Sequence, residues 1–144
     1  MNEVCAYATT TIRVARGFSA TPERLFSAWL DAPTASRWLF ATATQPLADA
    51  AIEARVSGEF RLVERHPRGS VQHSGHYLEL VPGRRLVFTL QSEALPPSRV
   101  SVDIRSHARG SRVVVTHEHV EATRAAGVRA RWSGMLHGLR ETIA

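Results

Sequence analysis

Near its C-terminal end the chain repeats apolar side chains at intervals of three and four: Val128, Trp132, Met135, Leu136, Leu139 and Ile143. That spacing predicts a helix from about Glu121 to Ile143, roughly 30 Å long or a little more at 1.5 Å per residue. Its apolar positions form one continuous stripe, and Arg124, Arg129, Arg131 and Arg140 fall mostly off it. A stripe of that length has to be covered, and the segment before it supplies the cover. From about Asp49 to His119 the apolar period changes from 3.6 to 2. Phe60 and Leu62 flank Arg61; Leu86, Phe88 and Leu90 alternate with Val87 and Thr89; Val100, Val102 and Ile104 alternate with Ser101, Asp103 and Arg105. Turn signals at Ser57-Gly58, Pro67-Arg-Gly69, Pro82-Gly83, Pro96-Pro97 and Arg109-Gly110 divide this region into six strand candidates. Connections that short join antiparallel neighbours, since a parallel crossover needs a dozen residues or more. The expectation is a meander with one wet face and one apolar face, the latter laid on the terminal helix.

Ahead of the meander, residues 10–18 alternate through Ile12, Val14 and Phe18 and make a seventh strand. Thr21 suits a helix N-cap, Pro22 the first helical position, and Glu23 the positive end of the helix. Leu25, Phe26, Trp29 and Leu30 form the apolar stripe of that helix, and Asp31-Ala-Pro33 ends it and begins a second, short one carrying Trp38, Leu39 and Phe40 at its end. Residues 1–9 are expected to be a flexible terminus and residues 10–144 one domain, since 144 residues bury roughly 70% of the unfolded surface without a disulfide or metal.

Charge and cysteine content bound the chemistry. The formal charge is +5, and all 18 Lys and Arg positions are arginine. With no lysine, neither a Schiff base nor a phosphate-loop lysine is available. The arginines are spread from Arg13 to Arg140, with one adjacent pair at Arg84-Arg85, a solvated strand start rather than a nucleic-acid surface. The single cysteine, Cys5, cannot form an internal bridge, which fits a reducing compartment. No apolar run of about 18 residues and no signal-like leader occur, so neither a membrane span nor secretion is expected, and the cytosol is the default.

Several segments resemble one family. Ala20-Thr-Pro-Glu-Arg-Leu-Phe26 resembles the opening helix of the START-like (SRPBCC) superfamily, in particular the Aha-type family named for an activator of a heat-shock chaperone ATPase. Arg37-Trp38-Leu39 matches the aromatic step after its second helix, and Val56-Ser-Gly-Glu-Phe60 its turn into an aromatic strand. Gly75-His-Tyr-Leu-Glu-Leu-Val-Pro-Gly-Arg-Arg-Leu-Val-Phe-Thr-Leu90 is similar to its central hairpin, Gly110-Ser-Arg-Val-Val-Val-Thr-His117 to its last strand, and Trp132-Ser-Gly-Met-Leu136 to its final helix. Ser57 replaces the first of two usual glycines, and Leu39 replaces a second aromatic, with Phe40 following. The resemblance implies an α+β helix-grip fold: a curved seven-stranded antiparallel sheet around a long C-terminal helix, with two short helices after the first strand and a cavity between sheet and helix. Relatives of this kind bind lipids, hormones or polyketides, and a minority catalyse reactions on them.

The resemblance places Trp29, Trp38, Phe40, Phe60, Tyr77, Phe88 and Trp132 where the family lines its cavity or the entrance to it. With His117, Met135 and Leu136 they form the candidate ligand-binding set, although each aromatic alone also suits a filled core. His117 shares strand parity with Val113 and Val115 and points toward the helix, where a histidine can orient a polar group or serve as a general base. Tyr77 alternates away from Leu78 and Leu80, so its direction is open. His117 and His119, two apart, are expected on one face, a His-x-His pair of the kind metals use. His73 and His76 flank a Ser74-Gly75 bend that fixes no common direction. No further metal motif accompanies these histidines, so no metal and no cofactor are expected. Glu53, Glu79, Glu118 and Asp103 pair into no acid–base couple, and Asp103 should face solvent; Arg55 and Arg61 read as solvated. No nucleophile elbow is present, since Ser133-Gly134 lies within a helix. Gly127 and Gly134 each cost that helix up to about 1 kcal/mol relative to alanine, either for close packing on a strand or to leave room for a ligand.

The function expected is binding of an apolar or amphipathic small molecule. The alternatives are a cyclase- or hydratase-type enzyme using the same pocket, with His117 its one candidate base, and regulation of a chaperone ATPase by protein contact. A homodimer is admitted.

Overall fold

In the computed structural model, which describes residues 8–41, 45–93 and 95–143, the alternating segments become seven strands of one antiparallel sheet. They are β1 (Thr9–Phe18), β2 (Asp49–Ile52), β3 (Glu59–His66), β4 (Gly69–Val81), β5 (Arg85–Ser92), β6 (Ser98–His107) and β7 (Gly110–Glu121). Strands β2 to β7 run as a meander, and β1 closes on β7, giving the order β1-β7-β6-β5-β4-β3-β2. The expected turns separate the strands, with Gly69 and Gly110 the first residues of β4 and β7. Cys5 and the rest of residues 1–7 lie outside the described residues.

Between β1 and β2 stand α1 (Pro22–Leu30) and α2 (Ala32–Ala35). The Thr21 side chain accepts from the Arg24 N–H at 3.2 Å and caps α1 as its sequence position predicts. Asp31 ends α1 and caps α2, its carboxylate accepting from the N–H and the hydroxyl of Thr34.

The terminal helix α3 (Ala125–Thr142) is shorter than its periodicity suggests, about 27 Å. Strand β7 continues to Glu121, and a single 3₁₀ turn, Ala122–Arg124, joins the two. The stripe is buried as expected: Trp132, Met135, Leu136, Leu139 and Ile143 pack into the core, with Val128 at its margin. On its flank, α3 holds the outer strand by its backbone. Arg129 Nη1 donates to the Arg13 carbonyl at 2.9 Å, and Arg140 Nη2 to the Gly17 carbonyl at 2.8 Å.

Strand β4 is continuous through Ser74 and Gly75, where the sequence suggested a bend. Gly75 serves a different purpose: a Cβ there would stand 1.9 Å from the Thr89 carbonyl oxygen, so two strands approach where only glycine fits. Two residues on, a bulge settles the direction of Tyr77. Tyr77 opposes Phe88 and Glu79 opposes Val87, leaving Leu78 as the extra residue. Tyr77 and Leu80 therefore both turn toward the core, and Leu78 is left 43% exposed.

Candidate functional site

The space between sheet and helix is of two kinds. Deep in the fold, aromatic rings fill it. Trp29 meets Trp38 edge-on with centroids 4.6 Å apart, and lies 6.0 Å from Trp132 and 6.4 Å from Phe88. Phe60, Tyr77 and Phe88 pack among themselves at 5.4–6.3 Å. The gap left beside Trp29, Phe40, Phe60, Tyr77 and Phe88 is about 10 Å3, the room of a single water. Trp38 satisfies its indole N–H on the Ala28 carbonyl at 3.2 Å, whereas Trp29 Nε1 is buried without a hydrogen-bond partner among the described residues.

The second space is open. Beside the N-terminal half of α3, facing β3 to β5 and β7, lies a groove of about 730 Å3 whose floor includes Phe40, His73, Leu90, His117, Trp132 and Met135. A recess of about 230 Å3 adjoins it and shares Leu90, Leu95, His117, Arg124 and Val128 with it, extending to Pro96 and Val120. Gly127 borders the groove, and nothing lies within 4 Å of where its Cβ would be. The room-leaving reading therefore describes Gly127. Gly134 also faces open space, and the glycine of α3 that packs closely is Gly138, 3.6 Å from Trp38 Cβ.

Of the sequence-expected set, Phe40, His117, Trp132 and Met135 come together on this groove. Trp29, Trp38, Phe60, Tyr77, Phe88 and Leu136 form the packed interior behind it. Phe40 reaches its place through a left-handed backbone, φ 56°, for which a β-unbranched residue is still an uncommon occupant. Its N–H donates to Met135 Sδ at 3.1 Å, and its ring stacks on His73 with centroids 4.2 Å apart.

His117 sits where strand parity puts it, and its bonds define its state. Trp132 Nε1–H, which can only donate, points at His117 Nδ1 at 3.0 Å. Nδ1 therefore accepts, the proton resides on Nε2, and Nε2–H donates to Ser98 Oγ at 2.8 Å. Ser98 in turn donates to the Leu90 carbonyl at 3.4 Å. Burial pushes the imidazole pKa down to about 4. His117 is thus a neutral, fully bonded ring, and its lone pair is engaged by Trp132 rather than free to take a proton.

His119 does not join it. Thr10 pairs with Val120 and Ile12 with His117, so Thr11 faces both Glu118 and His119 across a bulge. His119 takes φ 62° in that bulge and lies exposed at the border of the recess that His117 also lines, and Val120 takes the buried position instead. The expected His-x-His face is absent for this reason. Likewise His73 is buried and His76 exposed, and among the described residues no group of three or more His, Cys, Asp or Glu is placed to hold a metal ion. Arg61 and Arg55 are solvated, as read, and pair with Asp49 at 3.1 Å and Glu53 at 3.7 Å. Asp103, half-buried, bonds Arg85 at 2.7 Å.

The groove's second polar element was not singled out in the sequence. Glu64 is 3% exposed on the inward row of β3, behind Phe60 and Leu62. His73 Nε2 donates to it at 2.8 Å, Arg131 Nη2 at 2.6 Å, and His66 Nε2 lies at 2.9 Å. Ser92 Oγ completes the chain on His73 Nδ1 at 2.7 Å. Burial raises the pKa of Glu64, but the hydrogen bonds and charges of His73 and Arg131 outweigh it, so the carboxyl titrates below its ordinary value. Burial lowers the pKa of His73, and the opposing pull of Glu64 does not restore it. Arg131 also lies over the Phe40 ring, its guanidinium carbon 5.4 Å from the centroid. The signal for Glu64 was the parity of Phe60-x-Leu62-x-Glu64; for Arg131 it was only a polar residue flanking Trp132.

The sequence matches the model of the family described as Activator of Hsp90 ATPase homolog 1-like protein over residues 19–144. Solved structures share the fold. A Chromobacterium violaceum protein, 24% identical, superposes with a TM-score of 0.81 over 91% of this chain and 95% of its own. A Staphylococcus aureus protein of unknown function, 12% identical, reaches 0.86 over 95% and 94%. DynU16, of the dynemicin biosynthetic locus, is 15% identical with a TM-score of 0.74, covering 92% of this chain and 46% of its own. No curated protein matches the sequence. Among the described residues no helix is long and apolar enough to cross a membrane.

Proposed function

The chain belongs to the family of Activator of Hsp90 ATPase homolog 1-like proteins, and on that footing we propose that it binds an apolar or amphipathic small molecule. The observation that carries this reading is the groove beside the N-terminal half of α3: about 730 Å3, with an apolar wall of Phe40, Leu90, Leu95, Val128, Trp132 and Met135 and a polar border that includes Glu64, His73, Ser92, Glu93, His117 and Arg131. Sites for small ligands are concave, mostly apolar and carry few polar groups of that sort. The deep aromatic region plays a supporting part as the rigid back wall, because its interlocked rings leave about 10 Å3.

Binding is preferred to catalysis on the state of His117. A general base needs a lone pair within reach of the substrate proton, and the Nδ1 lone pair of His117 already accepts from Trp132. The ATPase-regulating alternative rests on the family description alone, and addition of the protein to the matching chaperone's ATPase assay decides it.

The test uses Gly127. Replacing it with leucine projects a side chain into open groove space while improving helix propensity. Native mass spectrometry of gently purified protein should show a bound small molecule that the Gly127→Leu variant loses, with its melting temperature maintained. Equal binding by the wild type and Gly127→Leu, in a thermal-shift screen of lipids, sterols and aromatic polyketides, would remove the groove from the proposal.

A further inference from the structure

Arg124, at the end of the 3₁₀ turn that leads into α3, and Gly127, Val128 and Arg131 of α3 all border the groove. The two guanidiniums differ in what they already hold. Arg131 spends one nitrogen: both of its hydrogen bonds, to Glu64 Oε1 at 2.6 Å and to the Phe40 carbonyl at 3.4 Å, use Nη2. Its Nη1 and Nε make no hydrogen bond among the described residues. The fork is nonetheless fixed in place, from below by the Phe40 ring and from the side by Glu64, which His73 and Ser92 hold in turn. Arg124 is exposed, borders both the groove and the recess, and has no ion pair among the described residues. Between them the absent side chain of Gly127 leaves a gap with nothing within 4 Å.

Carboxylates nearby are accounted for differently. Glu64 is neutralised by Arg131 and the bonds of two histidines. Glu93 accepts from the Gln72 N–H at 2.7 Å on the groove's far wall. Glu121 borders the recess, beyond Thr9, and not the larger groove. Arg131 is charge-matched by Glu64 and its Nη2 is taken, so beyond that pair it offers single donors on Nη1 and Nε. The Arg124 guanidinium, with no ion pair among the described residues, brings a positive charge and a planar fork of the geometry that suits a two-oxygen anion. Leu90, Leu95, Val128 and Met135 form the apolar part of the groove, and Ser92, His117 and Thr123 also border it.

We propose that the groove is a carboxylate-selective site: its ligand is an apolar carboxylic acid, its head held in the Gly127 gap between Arg131 and Arg124 and its apolar body laid along Leu90, Val128 and Met135. This rests on the small-molecule reading above and narrows it to one chemical class. Arg131 and Arg124 contact the ligand; Glu64 and His73 are positioning residues that act through Arg131.

The experiment compares acids with neutral molecules of the same body by titration calorimetry at pH 7.5: decanoate against decan-1-ol for a flexible chain, and 2-naphthoate against 2-naphthylmethanol for a flat ring. The wild type should bind the acid of at least one pair tenfold or more tightly than its alcohol. In Arg124→Gln, and in Arg131→Gln combined with Glu64→Gln to avoid a stranded buried charge, that ratio should fall severalfold, with alcohol binding little changed; Arg124→Lys should recover part of it. Equal affinity for acid and alcohol, both lost in Gly127→Leu, overturns the carboxylate assignment and leaves the groove reading standing. A preference that survives both arginine variants also overturns it. No binding of any probe overturns both readings.

Discussion

Acidification from pH 7 to pH 5 should cost the domain about 2 kcal/mol through His117 alone. In the fold this imidazole has its pKa pushed down to about 4 by burial, against 6.5 in an open chain. Between those values the unfolded chain binds more protons than the native one, so stability rises with pH across the window. The contribution is complete above about pH 6.5 and is lost as pH falls toward 4. Over the whole span it amounts to about 3 kcal/mol, at 1.36 kcal/mol per pH unit, and about 2 of these fall between pH 7 and 5. The structural cause is specific. A second ring proton would have to sit on Nδ1, where Trp132 Nε1–H already points from 3.0 Å, bringing two donors face to face. The assay is urea unfolding at pH 7 and pH 5 of the wild type and of His117→Gln, whose amide oxygen can still accept from Trp132 but does not titrate. His73, lowered by burial in the same direction, leaves a residual slope in both proteins. The wild type should lose about 2 kcal/mol more than the variant over this interval. Equal losses would refute the assignment of a neutral, Nε2-protonated ring.

Three further outcomes follow from the same geometry. Gly134→Ala, which meets nothing within 4 Å on the outer side of α3, should stabilise by up to about 1 kcal/mol and raise the melting temperature by about 3 °C. Gly75→Ala drives a methyl against the Thr89 carbonyl in the sheet, and should destabilise by about 2 kcal/mol or more, read as a lowered urea midpoint. Arg131→Gln removes the nearest partner of buried Glu64. With the arginine itself 41% exposed the loss is discounted to about 1–2 kcal/mol at pH 7. Because the carboxyl is held below its ordinary pKa, its stabilisation is present above about pH 4.5 and fades below it. The variant should therefore show a smaller stability change on acidification below that point.

The fold was readable because two periods, 2 and 3.6, divide the chain without overlap, and because Pro and Gly mark the turns between strands. Thr21, Pro22 and Asp31 placed the first helices through local bonds that need no tertiary knowledge. The site was less readable, for three physical reasons. A bulge shifts parity without a sequence mark, so His119 and Tyr77 were read against a regular alternation that β7 and β4 do not keep. Whether large rings enclose space or fill it depends on how they interlock, and the contacts of Trp29 with Trp38 and Trp132 are set by three separate elements. Glu64 and Arg131 lie 67 positions apart, and only the curvature of the sheet brings them to 2.6 Å. The parity it shares with Phe60 and Leu62 is the one sequence signal for an inward Glu64.

The two arginines that bind the backbone of β1 from α3 have a consequence for assembly. As the terminal strand of the sheet and ten residues long, β1 offers an outer row of carbonyls and amides on which another chain can add a strand, the step that begins edge-to-edge aggregation. Arg129 and Arg140 take two of those carbonyls, at Arg13 and Gly17, and set their charged guanidinium heads on the row. The opposite edge, β2, is four residues long and too short to template much. The same helix that supplies the core stripe thus also protects the sheet from its own kind, and a double Arg129→Ala, Arg140→Ala variant would expose that edge and clump at concentrations the parent tolerates.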